Sequence, residues 1–206
     1  MQILTDLIPL VAPWVPGAPN NMIELELRDA LIEFCEDTEA WTETVTMDQV
    51  ADQAEYEISL TNEASIQRVM EILVKTNTSQ DYDDLRNTPY PVEYYKLNAD
   101  GDTIVFYNNN EPSQTITDGI QFKFALRPQD QTEELSGDLL DRYGRGIAKL
   151  ARYKMMTVPK KPYYNPQEAQ RYYDEYKNTR MTAIREKTTQ NKNQGMQVQQ
   201  LGGILG

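Results

Sequence analysis

IQFKFAL, residues 120–126, is the stretch on which the reading of the fold turns. Ile120, Phe122, Phe124 and Leu126 alternate with Gln121, Lys123 and Ala125. A period of two places one set of side chains in a core and leaves the other near water, so this is the clearest strand in the chain. Working outward, the same period returns in Tyr56, Ile58 and Leu60, which alternate with Glu57 and Ser59. VMEILV (69–74) reads as another strand. VEYYKL (92–97) and DTIVFY (102–107) flank NADG, which makes Asp100-Gly101 the tight turn of a hairpin. TNEAS (61–65) and TSQDYDDLRNTP (78–89) are loops between them. Residues 52–127 therefore predict a small antiparallel sheet.

On either side the period changes to that of a helix. From Asn21 to Trp41 the apolar stripe is Ile23, Leu27, Ala30, Leu31, Phe34, Cys35 and Thr38, with Glu24, Glu26, Glu33, Glu36 and Asp37 mostly off it. A shorter helix, Gln2–Val11, precedes it and is stopped by PWVPGAPN (13–20). After the sheet, Gly137–Met155 carries Leu139, Leu140, Tyr143, Ile147, Leu150 and Ala151 on one stripe, and Gly144 and Gly146 permit close helix packing. The turn VPKKPYYNP (158–166) ends it. Asn165 is then a natural N-cap, Pro166 suits the first helical position, and Glu168 completes a capping box. That last helix is expected to run to Lys187, with Ala169, Tyr172, Tyr173, Tyr176, Ala183 and Ile184 on or near its buried side. The expected fold is α+β: one domain over 1–187, mainly a helical bundle of about four helices (1–45 and 137–187) with the small sheet of 52–127 inserted. Residues 188–206, TTQNKNQGMQVQQLGGILG, hold one charge, Lys192, and lack an apolar period; they are read as an extended tail that cannot fold alone.

Composition narrows the chemistry. The 206 residues suffice for a real core. Cys35 is the only cysteine and histidine is absent, which removes disulfides, zinc clusters and every Ser-His or Cys-His nucleophilic site. No P-loop, GxGxxG or HExxH is present. The chain is read as no enzyme, with no cofactor and no metal. The competing enzymatic reading rests on Asp81, Asp83 and Asp84 as a carboxylate-based metal site, but the ligand spacing of a calcium loop is missing. MQILTDLIPLVAPWV lacks a basic leader and meets Pro9 and Pro13 well short of a membrane span, so neither signal nor anchor is expected, and no membrane partner.

Charge is distributed unevenly. The net is −12, yet residues 1–141 hold 28 acidic and 7 basic side chains, whereas residues 142–206 hold 4 acidic and 13 basic. Such asymmetry points to partners, or to a basic surface set against another copy's acidic one. Tyr163, Tyr164, Tyr172, Tyr173 and Tyr176 crowd beside Lys160, Lys161, Arg171, Lys177 and Arg180. Aromatics among cations can stack on nucleic acid, but tyrosine is also enriched in protein interfaces, and with a pI near 4.5 protein contact is the better reading. Lys160, Lys161, Tyr163, Tyr164, Arg171 and Tyr173 are the candidate subunit-interface residues.

Several of these segments together resemble a known family. Leu27-Arg28-Asp29-Ala30, Ile32-Glu33-Phe34, Thr38, Trp41-Thr42-Glu43 and Gln53-Ala54-Glu55-Tyr56 look like the front half of head-to-tail adaptor (connector) proteins of tailed bacteriophages. Ile147-Ala148-Lys149-Leu150, Lys161-Pro162-Tyr163-Tyr164-Asn165-Pro166 and the series Ala169, Tyr173, Tyr176 resemble the family's pair of C-terminal helices and their turn. The chain departs at Asp52, where the family often has glycine, and at Tyr164, where tryptophan is frequent. The resemblance implies a homo-oligomeric ring of about twelve copies. The ring would sit in the virion's head-tail neck after assembly in the host cytoplasm, bound to the portal protein on one side and a tail tube or nozzle protein on the other. Double-stranded DNA would pass non-specifically through its lumen. It further implies that the C-terminal tail docks on the portal, with Gln194, Met196, Val198, Gln200, Leu201, Ile204 and Leu205 as the contacting residues. Another neck or tail-completion ring protein is the alternative.

Overall fold

The apolar stripes of the long acidic helix and of the long helix that follows the sheet are buried in the computed structural model, which describes residues 2–61, 64–82, 89–107, 110–129, 134–135 and 137–196. The elements in chain order are β1 (Gln2–Ile3), α1 (Ile8–Val11), α2 (Asn20–Thr38), β2 (Thr42–Gln49), β3 (Glu55–Glu57), β4 (Ala64–Val74), β5 (Tyr95–Leu97), β6 (Thr103–Phe106), β7 (Ile116–Pro128), β8 (Glu134–Leu135), α3 (Gly137–Met156) and α4 (Pro166–Met196). They divide into two compact units. The helical unit comprises Met1–Trp41, Asn62–Ala64 and Arg127–Lys187; the sheet unit comprises Thr42–Thr61, Ser65–Leu126 and Thr188–Gly206.

In the helical unit the α2 stripe is buried as its spacing requires: Ile23, Leu27, Ala30, Leu31, Phe34, Cys35 and Thr38 are all shielded. The helix closes at Thr38, three residues before the expected Trp41. The Thr38 hydroxyl donates to the Phe34 carbonyl (2.7 Å), and Glu39 enters the left-handed region (φ 51) so that its N–H meets the Cys35 carbonyl at 2.8 Å. Phe34 meets Tyr143 of α3 at a ring separation of 5.1 Å and Tyr176 of α4 at 6.5 Å, so one aromatic joins the three long helices. Gly146 lets α3 and α4 approach: a Cβ there would lie 2.4 Å from Thr179 Cγ2. Asn165 caps α4, its side-chain oxygen accepting the Glu168 N–H at 3.2 Å.

Two helical expectations change. Gln2–Val11 is not one helix: Gln2–Ile3 is a strand paired with Glu134–Leu135, and α1 is a single turn between 3-10 turns at Leu4–Leu7 and Ala12–Trp14. Pro9 and Pro13 lack the N–H that a longer α-helix needs there. At the other end α4 does not stop at Lys187 but continues to Met196, so 188–196 is helical and not extended. An apolar period reports burial, not helicity, and propagating an existing helix through Thr, Gln, Asn and Lys is inexpensive.

The sheet unit contains more strand than its sequence announced. Its first sheet has the order β2-β7-β4, with β7, which contains IQFKFAL, in the middle; β2 runs antiparallel to it with Thr44 opposite Lys123 and Val45 opposite Phe122. The second has the order β3-β6-β5, with Tyr56 opposite Ile104 and Tyr95 opposite Phe106. Tyr56 packs on Phe106 (5.7 Å) and on Phe122 (5.8 Å), joining the two sheets through one ring. Asp100-Gly101 is the turn expected: Gly101 takes φ 79, and the Asn98 side-chain oxygen accepts the N–H groups of Gly101, Asp102 and Thr103 at 2.9–3.1 Å. VEYYKL is only half a strand, because Val92–Tyr94 forms a 3-10 turn.

The expectation of a helical bundle carrying one small sheet is therefore overturned. Among the described residues about 26% are strand against 45% helix, and the strands include two three-stranded antiparallel sheets, so the fold is a more evenly mixed α/β arrangement. The discrepancy lies largely in β2. TETVTMDQ alternates between exposed and half-buried positions, with polar residues on both faces, and such a strand carries no hydrophobic period to detect.

Candidate functional site

The acidic side chains of α2 and of Glu39 just past it meet cations of their own chain, on α3, on α4 and at the end of β7. Glu33 pairs with Lys154 at 2.9 Å, Glu36 with Arg127 at 2.9 Å, Asp37 with Arg180 at 2.8 Å, and Glu39 with Lys187. The charge split therefore joins parts of one helical unit, and Lys154, Arg180 and Lys187 are not held in reserve for a neighbour's acidic half. Glu39 and Lys187 are the most sheltered of these pairs, with side chains 15% and 27% exposed, and burial lowers the Lys187 pKa. The others are half-exposed and contribute at most about 1 kcal/mol each.

The six interface candidates divide by environment. Lys160, Lys161 and Tyr164 project from the turn between α3 and α4, and Arg171 is exposed one turn into α4. Lys160 holds a left-handed backbone, φ 66. Tyr163 is instead buried, its hydroxyl 3.5 Å from Met22 Sδ on α2, and Tyr173 is half-buried with its ring 4.6 Å from that of Tyr153. Those two tyrosines serve packing. Adjacent residues on a helix or turn point to different sides, and composition alone does not say which of a Tyr-Tyr pair faces in.

A larger feature was not anticipated. The rings of Trp14 and Tyr172 meet edge to face at 5.7 Å, the Arg152 guanidinium lies against both (5.3 Å from Trp14, 4.9 Å from Tyr172), and Arg171 covers Tyr172 at 5.2 Å. Arg152 Nε donates to the Leu10 carbonyl at 2.9 Å, and a terminal guanidinium nitrogen donates to the same oxygen. Leu10 lies in the last turn of α1, where carbonyls lack helical partners, so the arginine caps that turn. Trp14 remains 45% exposed. The signal for it was present in PWVP, an aromatic fixed between prolines at the surface. Together with Tyr164 this gives the helical unit two exposed aromatics among cations, the composition of a protein-contact surface.

Other chemistry is not assembled. A groove of about 660 Å³ between α3 and α4 is lined by Arg142, Tyr143, Lys149, Glu175, Thr179 and Glu186. Its charges are mutually satisfied: Arg142 and the Tyr143 hydroxyl both bond Glu186, at 2.9 and 2.5 Å, and Lys149 meets Glu175 at 2.8 Å. Burial, with Glu186 adding to it, pushes the Tyr143 phenol up to about 12. Cys35 is buried in α2 and its thiol is likewise pushed up to about 12 by burial, which leaves no thiolate to react. Of the proposed acidic metal site, Asp81 is exposed, while Asp83 and Asp84 lie outside the described residues; among the described residues no cluster of three potential ligands occurs. No helix among them is long and apolar enough to cross a membrane.

Of the residues expected to reach a portal, Gln194 and Met196 fall in the last turns of α4, and Val198, Gln200, Leu201, Ile204 and Leu205 lie outside the described residues. Compared with known proteins, the chain matches no family model and no curated protein.

Proposed function

We propose that this chain is a structural virion protein, a head-to-tail adaptor that assembles as a ring in the neck, joins a portal to the tail around passing DNA, and docks on the portal through its C-terminal segment. The observation that carries the reading is the behaviour of α4. Among the side chains described in it, the last buried apolar one is Ala183, and Lys187 makes an ion pair with Glu39 just past α2, yet the helix continues to Met196 through TTQNKNQGM, in which methionine is the only apolar residue. A segment with no apolar stripe gains little from its own unit, and a polar extension from a folded body is suited to ordering against a partner. Copies of it on a ring would act at high effective concentration, so each contact can be modest. Asp52 adds support: its backbone is left-handed (φ 59) at the position where the resembled family often has glycine. Trp14, Tyr164 and Arg171 offer exposed anchors for contacts between subunits.

Truncation after Lys187 is the test. The shortened chain keeps the melting temperature of the full one and still forms its oligomer, but no longer co-sediments with portal rings. Undiminished portal binding by the truncated chain would refute the docking role, and exclusive binding to tail-tube protein would assign the chain to another neck component.

A further inference from the structure

β2 is an edge strand, and its free side is unusually open. The order β2-β7-β4 leaves Thr42–Gln49 paired on one side only. Among the described residues, no backbone hydrogen bond from outside the sheet reaches Thr42–Asp48. Natural edges are commonly guarded by lysine, proline, inward charges or a bulge. β2 contains no lysine, arginine, proline or glycine, and its irregularity lies at the far end, between Met47 and Gln49. Its two carboxylates are engaged within the chain: Glu43 accepts the N–H and hydroxyl of Thr61, both at 2.8 Å, and Asp48 accepts the Asp118 N–H at 2.9 Å. What remains outward is Thr42, Thr44 and Thr46, exposed, uncharged and β-branched, a pattern that favours strand pairing.

We infer that β2 pairs antiparallel with β2 of a second copy of this chain, about a two-fold axis through Val45. The strand is self-complementary in that register. Val45 meets Val45, Thr44 meets Thr46, Glu43 meets Met47 and Thr42 meets Asp48, so no like charges stand opposite and the threonines form cross-strand pairs. An axis through Val45 also gives Thr42–Asp48 its longest overlap, since moving it to Thr44 or Thr46 loses pairs at one end. The product is one continuous sheet, β4-β7-β2 joined to its symmetry copy, in which the β2 edge of each copy is closed and β4 forms the two outer edges. This pairing belongs to the free chain and does not rest on the ring reading; it protects an aggregation-prone edge outside the virion.

A single cysteine at the axis tests it, because the native Cys35 is buried and silent. Directly opposed residues in an antiparallel pair sit about 4.5–5.5 Å apart at Cα, within the span of a disulfide. Purified full-length Val45→Cys is expected to form a covalent dimer under mild oxidation. Asp48→Cys alone should form little, and a mixture of Asp48→Cys with Thr42→Cys should cross-link again. In sedimentation, the native chain is expected at twice the monomer mass, and Thr46→Lys, which places two added cations opposite the threonines, at the monomer mass with unchanged circular dichroism. Equal cross-linking at positions 45 and 48, or a native chain that sediments as a monomer, would overturn the inference. Rings that assemble while Val45→Cys stays uncross-linked would sink it and leave the adaptor reading standing; a Val45-linked dimer that never binds a portal would do the reverse.

Discussion

Among the described residues four other than glycine hold a left-handed backbone: Glu39, Asp52 and Lys160 stand between elements, and Asp118 lies within β7, where its register with β2 shifts. For an L-residue this conformation costs free energy that glycine does not, with aspartate among the better tolerated. Asp52 follows β2, donates its N–H to the Pro112 carbonyl at 2.9 Å, and leads into β3. Asp52→Gly should therefore leave the sheet intact and raise stability by about 0.5–1 kcal/mol, offset in part by glycine's greater unfolded-state entropy. Equilibrium urea unfolding of the two proteins measures it, and a clear loss of stability would show that the aspartate carboxylate has a role beyond its backbone. Nothing in the residue pattern betrayed these conformations. Asp100-Gly101 was legible because glycine advertises φ > 0, whereas Glu39 and Lys160 look like ordinary surface residues.

At the level of elements, the stripes of α2 and α3 and the start of α4 were legible because they obey simple rules: apolar spacing for the first two, and Asn-Pro with Glu three residues after the cap for the third. β2 was illegible for the opposite reason. A strand half-covered on one face and wet on the other, with threonine at every second position from Thr42 to Thr46 and only Val45 and Met47 apolar, owes its place to pairing with β7 and not to its own pattern. The joint between α3 and α4 has a sharper requirement. With Thr179 Cβ 2.7 Å and Cγ2 2.4 Å from where a Cβ on Gly146 would stand, Gly146→Ala forces the helices apart and should cost about 1–3 kcal/mol despite alanine's better helix propensity. Thermal unfolding of Gly146→Ala, alone and with Thr179→Ala, separates the effects: the double variant should regain part of the loss. A stabilised single variant would mean that the helices are not in such contact.

For the whole molecule, the charge imbalance was plain in the sequence but its meaning was not. Acidic front and basic back suggested two surfaces of different copies, and the pairs of Glu33, Asp37 and Glu39 with Lys154, Arg180 and Lys187 place both signs in one unit. Linear order says where charges lie along the chain, not which of them meet. Of the candidate site, Lys160, Lys161, Tyr164 and Arg171 are exposed, while the Trp14–Arg152–Tyr172 cluster needs a contact between residues far apart in sequence. Burial of many tyrosines has a global consequence. The phenols of Tyr82 and Tyr143 are both pushed up to about 12, chiefly by desolvation. Below the ordinary phenol value of 10.0 both groups are protonated whether the chain is folded or not, and their contribution to stability is complete. Above it the unfolded chain sheds protons that the folded chain retains, so stability falls as pH rises from about 10 towards about 12. Circular dichroism and tyrosinate absorbance followed together should change in one late step, and Tyr143→Phe should make the decline shallower. Full tyrosinate formation near 10 with the fold intact would contradict it.

The capping of Leu10 by Arg152 has a practical corollary. The first fifteen residues are masonry and not scaffolding: their carbonyl receives a cation from α3, and their tryptophan roofs that cation over. Shortening the chain at its beginning would leave a guanidinium against Tyr172 with neither the Leu10 oxygen nor the Trp14 indole beside it.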